Sequence, residues 1–347
     1  MQRKDHTVVC ILGGFVAALV ITGCGSSVSA PLGGGAPASL TTGMVATGPV
    51  LGAWWDTNAG GLRGLYGIAG AARQGSPSFN DGTYSGATVC MRQQFALLTT
   101  RAGALFVGSI PQKTAAGFAG QGIANARIAF SPSCTTALAY VPGNASALLI
   151  QGLPATPKIS RVALPGGATA AAVGDSGSIL VSMAQSGAVA IQLITNGSNA
   201  VQPVTTVAKF GGMAFLPGAD TALIADQASN KVIEAAQMSG NPSLTQIAGP
   251  ADGVAQPVAV AVSSDGRSAA VVNQTDASVV RVDLTGQSAA TRTVCHCSPT
   301  ELEPLAGNLT FRVNEPGAGT VWAYDGDAAS PRFVFLPSEQ STQGARP

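Results

Sequence analysis

Four stretches of the chain, residues 126–152, 168–194, 211–236 and 257–284, repeat one order: apolar run, tight turn, apolar run, polar turn, apolar run. Their first turns are Ser131-Pro132-Ser133, Gly174-Asp175-Ser176-Gly177, Pro217-Gly218-Ala219-Asp220 and Ser263-Ser264-Asp265-Gly266. These residue types reach positive φ cheaply or bond their own backbone, so each segment predicts a hairpin. The second turns are Pro142-Gly143-Asn144, Gln185-Ser186-Gly187, Gln227-Ala228-Ser229-Asn230 and Gln274-Thr275-Asp276-Ala277. Within the runs apolar positions do not recur at i, i+3 and i+4. Instead Val280, Val282 and Leu284 alternate with Arg281 and Asp283, which predicts strands rather than packed helix pairs.

The residues before the first turns, Phe130, Val173, Phe215 and Val262, are spaced by 43, 42 and 47. A period near forty with three or four short strands per unit is that of a propeller blade. The same order extends upstream through Val89-Cys90-Met91 and residues 95–99 and 104–110, and earlier through residues 50–56 and 62–68. Downstream, Val313-Asn314-Glu315-Pro316-Gly317-Ala318 matches Val272-Asn273-Gln274-Thr275-Asp276-Ala277, and residues 320–324 and 333–336 supply further strands. The expected fold is all-β: a β-propeller of seven blades, each of about four antiparallel strands, occupying residues 47–337. The first blade lacks a strand in this reading, so the ring could close by pairing the two chain ends. A two-domain β-sandwich is the alternative architecture. Phe130, Phe215 and Val262 are expected to be core positions, and the second turns to tolerate substitution.

Phe130-Ser131-Pro132-Ser133 and Val262-Ser263-Ser264-Asp265-Gly266 carry a wider likeness. An apolar strand, a Ser-Pro-Asp-Gly-like turn and a second strand resemble the YVTN and NHL-like propellers of bacterial envelopes, over roughly residues 50–336. The resemblance implies a fold and a habit of binding at the mouth of the central channel, but no chemistry.

The first 46 residues have another character. Arg3-Lys4 precedes an uncharged apolar run, residues 7–21, about fifteen long, which is short for a spanning helix and suits a cleaved signal. It ends in Ile21-Thr22-Gly23-Cys24, which resembles the lipobox of bacterial lipoproteins. That resemblance implies a signal peptide at 1–23, lipid on Cys24, and the membrane as a partner through that lipid. Residues 24–46, rich in Gly, Ser, Ala and Pro and free of charge, read as a flexible tether, and 338–347 as a C-terminal tail. Ser26 stands where inner-membrane retention favours Asp, so the outer membrane is favoured, with the domain in the periplasm or at the cell surface. An uncleaved anchor helix is the alternative.

Charge and cysteines narrow the function. Of 18 Lys plus Arg and 17 Asp plus Glu, removing Arg3, Lys4 and Asp5 leaves 16 of each, so no basic face for nucleic acid is expected. Only two histidines occur, and His6 lies in the signal, which leaves His296 alone for triad or metal chemistry. Beyond Cys10 and Cys24, an even set remains: Cys90, Cys134, Cys295 and Cys297. In an oxidising compartment these favour disulfides. Neighbouring blades hold Cys90 and Cys134, while Cys295 and Cys297 share one linker, so those two pairs are expected. Cys295-His296-Cys297 as a metal or redox site is the rival reading.

Four other motifs are weighed against plain structural roles. Gly174-Asp175-Ser176-Gly177 is similar to the nucleophile segment of chymotrypsin-like proteases, but it coincides with the turn every repeat possesses and lacks a preceding histidine. Asp325-Gly326-Asp327 lacks the alternating oxygen ligands of a calcium loop and reads as a hairpin turn. Glycines 33–35 lie in the tether and no Gly-Lys-Ser or Gly-Lys-Thr follows, so phosphate binding has no support. Trp54-Trp55-Asp56 could line a sugar or peptide site, though core packing of an early strand explains it better. No catalytic residue, cofactor or metal is assigned. The expected protein is a monomeric, non-enzymatic propeller that binds a protein or small ligand at one face. The alternative is a propeller-type hydrolase or lyase, lactonase-like, whose candidate acids are Asp226, Glu234, Asp265 and Asp276.

Overall fold

Each apolar run of the four clear repeats forms a strand, and polar residues between them form the turns. The computed structural model describes residues 48–118, 122–198, 200–315 and 320–337, all within the compact unit Val45–Pro347. Cys24, the signal, the tether and the tail lie outside the described residues. The described strands make seven antiparallel sheets, six of four strands and one of three, each a meander of strands consecutive in sequence.

Blade 1 holds β1 (Val50–Asp56), β2 (Gly61–Tyr66) and β3 (Arg73–Ser78). Blade 2 holds β4 (Gly86–Cys90), β5 (Phe95–Thr99), β6 (Leu105–Ser109) and β7 (Thr114–Gly117). Blade 3 runs through β8 (Arg127–Phe130), β9 (Thr136–Tyr140), β10 (Ser146–Gln151) and β11 (Lys158–Ala163), and blade 4 through β12 (Ala168–Val173), β13 (Ile179–Gln185), β14 (Ala188–Ile194) and β15 (Val201–Val207). Blade 5 comprises β16 (Phe210–Phe215), β17 (Thr221–Asp226), β18 (Lys231–Ala236) and β19 (Ser243–Ala248), and blade 6 β20 (Pro257–Val262), β21 (Ser268–Asn273), β22 (Ser278–Asp283) and β23 (Thr291–Val294). Blade 7 closes the series with β24 (Glu303–Pro304), β25 (Thr310–Arg312), β26 (Val321–Asp325) and β27 (Arg332–Leu336).

Burial follows strand position. Second strands such as β9 and β21 are buried throughout, because a neighbouring blade covers each face. Fourth strands such as β7 and β11 are mostly exposed. The apolar core divides into seven clusters, one at each seam between adjacent blades. Phe215 is buried in the seam of blades 4 and 5, while Phe130 and Val262 are half-buried. Trp54 is buried in a seam too, and packing is therefore its role.

Among the described residues the ring closes by packing, and no strand of blade 1 pairs with one of blade 7. Leu51, Trp54 and Leu65 of blade 1 meet Leu305, Val321, Val334 and Leu336 of blade 7. The amide of Ala306 donates to the carbonyl of Leu51 at 2.6 Å. Among the described strands β27 pairs with β26 alone. A Cβ on Gly52 would stand 2.4 Å from Leu305 Cδ2, so glycine there lets blade 7 approach.

Hydrogen bonds tie the first turns to one another at one end of the ring. In blade 6 the Ser263 hydroxyl donates to Asp265 at 2.6 Å and accepts from the amides of Arg267 at 3.2 Å and Ser268 at 2.9 Å. Asp175 accepts from the Ser133 amide (2.8 Å) and hydroxyl (2.6 Å) in blade 3 and from the Gly218 amide (2.9 Å) in blade 5. One carboxylate thus joins three blades, and the Gly174-Asp175-Ser176-Gly177 segment is a structural tie. Cys90 and Cys134 are bonded across the seam of blades 2 and 3, with Cα atoms 6.2 Å apart, and Cys295 is bonded to Cys297 in the link before β24.

Burial raises the pKa of Asp175, but the bonds from Ser133 and Gly218 outweigh it and leave the net value below 3.8. The ties are therefore present above the unfolded pKa and lost as pH falls through the folded one. Asp175→Ala is expected to lower unfolding free energy by about 1–2 kcal/mol near neutrality. In urea titrations that difference should shrink below about pH 4, where the wild-type carboxylate also takes its proton.

Candidate functional site

The innermost strands β4, β8, β12, β16, β20 and β24 face a central channel, and their small residues set its width. A Cβ on Gly211 would stand 2.0 Å from the Pro257 carbonyl oxygen, and one on Gly212 3.2 Å from the Ala259 Cα, so blades 5 and 6 meet there backbone to backbone. The channel holds a cavity of about 570 Å³ walled by these six strands and by the first turns at one end. No residue of β1 lines it, because β1 to β3 occupy the positions of second, third and fourth strands. Most of the wall is apolar, including Val89, Ile128, Phe130, Met213, Val260 and Leu302.

Among the described lining residues two are charged, Arg92 and Glu303. Arg92 sits on the first turn of blade 2 and donates to the Ser264 carbonyl of blade 6, reaching past blades 7 and 1 over the mouth of the channel. Around the same rim Gln93 donates to the Ser133 carbonyl at 2.5 Å. The Asn308 side chain accepts from the Ser264 hydroxyl and the Asp265 amide and donates to the Asp265 carboxylate, at 2.9, 2.9 and 3.1 Å.

Glu303 stands deeper, on β24 opposite Arg312 of β25. Its side chain is exposed and lines the cavity that the surrounding strands wall. Enclosure pushes its pKa above 4.5, and the Arg312 charge offsets that only in part. Glu301, one pleat earlier, is raised chiefly by burial and also by Glu303 and Glu315, against its ion pair with Arg312. Arg312 spends its guanidinium on Glu301 and the Asn314 carbonyl.

The acids singled out from the repeats do not gather at this cavity. Asp226 is buried, and its carboxylate accepts from the amides of Ala208, Lys209 and Ser229 at 3.3, 3.2 and 3.3 Å, pinning the loop before β16. Asp265 belongs to the rim, and Glu234 lies half-buried on a third strand. Asp276, in the second turn of blade 6, accepts from Ser278 at 2.6 Å and pairs with Arg292 at 2.6 Å, while Gln274 accepts from Gln227 of blade 5 at 2.9 Å. That turn is partly exposed and anchored by these contacts. Asp325 pairs with Arg332 at 3.2 Å, and Asp327 accepts from Asn308, Leu309 and Thr310 at 2.7, 2.9 and 3.0 Å, so both serve structure. His296 is exposed between two bonded cysteines. Among the described residues no three His, Cys, Asp or Glu side chains stand close enough to share one ion.

Glu303 and Arg92 escaped the repeat-based reading. Glu301-Leu302-Glu303-Pro304 places two acids where the clear repeats carry apolar or small residues, and that contrast was the available signal.

No known protein family and no curated protein matches the sequence. Solved structures do match in shape. A functionally unknown protein from Desulfotomaculum acetoxidans superposes with a TM-score of 0.52 at 12% identity, covering 84% of this chain and 100% of its own. A streptogramin B lyase gives 0.51 at 16%, covering 74% of this chain and 84% of its own. The virginiamycin B lyase of Staphylococcus aureus gives 0.50 at 15%, with 76% and 87% covered. The likeness is one of fold. It places the chain among propellers and transfers no chemistry.

A carboxyl raised by enclosure disfavours its own ionisation in the folded state, so stability is lost as pH rises from 4.5, the ordinary value, through the folded pKa. Glu303→Gln should therefore melt higher than wild type at neutral pH. The gain should vanish near about pH 4, where both side chains are neutral, as scanning calorimetry at the two pH values would register.

Proposed function

We propose that this protein is a lipid-anchored β-propeller of the bacterial envelope, held by lipid on Cys24 with the outer membrane favoured, that binds a small ligand in its channel without transforming it. The observation that carries the reading is the cavity of about 570 Å³, within the size range of small-molecule sites and walled mostly by apolar side chains. Two charges of opposite sign, set at different depths, give a ligand orientation rather than a reaction coordinate. Arg92 is occupied by the Ser264 carbonyl, and Glu303 stands without the second acid or base that proton shuttling across a substrate requires. The raised pKa of Glu303 favours one second reading, a lyase or hydrolase using that carboxyl as general acid. Turnover of any bound compound, lost in Glu303→Gln, would establish it instead.

Ala214 lines the cavity and belongs to no apolar cluster of the core, so a larger side chain there fills the channel and spares the seams. With the neutral dye Nile red as probe, saturable binding is expected for the wild-type protein and loss of that binding for Ala214→Trp at an unchanged melting temperature. Equal binding by both proteins would remove the channel as the site. In membrane fractionation, Cys24→Ser should move the protein to the soluble fraction. Retention in the pellet would replace the lipid by an uncleaved anchor helix.

A further inference from the structure

The channel wall carries a single carboxylate among its described residues, and no described side chain pairs with it. Glu301 has an ion pair with Arg312; Glu303 has no hydrogen bond or ion pair among the described residues. The Arg312 guanidinium bonds Glu301 and the Asn314 carbonyl, so it acts on Glu303 from the facing strand through its charge and not through a hydrogen bond. Leu302 and Pro304 flank Glu303 in sequence and line the same cavity, and Val89 on β4 and Val260 on β20 belong to its wall. A carboxylate enclosed by such walls attracts a cation far more strongly than one in open water.

From this juxtaposition of an unpaired Glu303 with a cavity walled largely by apolar residues, we propose that the channel takes an organic cation, a small apolar body bearing a protonated amine or guanidinium that pairs with Glu303. The inference rests on the channel-binding reading above and names its ligand class. The cavity accommodates a body of one or two rings, and a neutral ligand would leave the carboxylate enclosed and unpaired. The groups bearing on Glu303 are Arg312 from β25 and Glu301 from the segment before β24; Arg92 acts at the rim. A bound cation counters the enclosure that raises the carboxyl, so uptake drives off any proton held there, and affinity rises with pH across its titration.

The test uses the full-length chain and three probes of one shape, tryptamine, neutral tryptophol and anionic indole-3-propionate, titrated calorimetrically near about pH 8. Tryptamine should bind about tenfold or more tighter than tryptophol, the discrimination of an enclosed charge pair rather than an exposed one. Glu303→Gln should bring the two within about twofold of each other while leaving tryptophol unchanged, and Glu303→Asp should keep part of the preference. In the wild-type protein, which needs no variant to fold, tryptamine affinity should fall between about pH 8 and pH 5 and tryptophol affinity should not. Equal binding of all three probes would overturn the cation inference and leave channel binding standing. Preference for indole-3-propionate would overturn it in favour of selection by Arg92. Failure of every probe to bind would overturn both.

Discussion

The seam between blades 7 and 1 is the contact on which the rest depends. Six seams join blades already adjacent in sequence, but this one brings together residues about 250 apart, and only across it does a row of sheets become a ring with a channel. Its holding force is apolar contact. Leu51, Leu65, Leu305 and Leu336 each bury nearly all of their surface there. Each such side chain contributes about 1.5–3 kcal/mol against exposure. The hydrogen bond from Ala306 to Leu51 adds about 1 kcal/mol, so it fixes register more than it supplies strength.

Closing the ring with seven sheets fixes what the centre can be. Sheets buried on both faces need apolar second and third strands, and their inner strands must be narrow enough to crowd together, hence Gly211, Gly212 and the alanines of β12 and β20. The space left between them is a largely apolar cavity. The first turns are bound into a rim by Asp175, Asn308 and Arg92, so the mouth is built from structural ties, and the carboxylate of Glu303, unpaired among the described residues, lies deeper.

The repeats were legible because three strands of each of the four clear repeats are largely apolar and two turns use residues of restricted type. The fourth strands were harder to read. Thr114-Ala115-Ala116-Gly117 is wholly exposed, and the β11 stretch of Lys158, Ile159, Ser160 and Arg161 buries no residue, so no core pattern marks either of them. The cysteine pairs followed from blade order alone. Closure by packing was hidden because Leu305 and Gly52 carry no signal of each other until the ring is drawn. Glu303 was missed for a related reason. Strand β24 is two residues long and departs from the apolar pattern, and the acids within well-formed repeats, Asp226 and Asp276 among them, prove to be anchors for turns and loops.

Native-state amide hydrogen exchange at Ala306 tests this account most directly, since that amide reports the closing seam and little else. If packing at blades 7 and 1 closes the ring as one cooperative unit, the Ala306 amide should exchange as slowly as those of β17 and β21, through global unfolding. Exchange at Ala306 faster by orders of magnitude while β17 and β21 stay protected would mean that the seam opens by itself, and the closed channel would lose its basis.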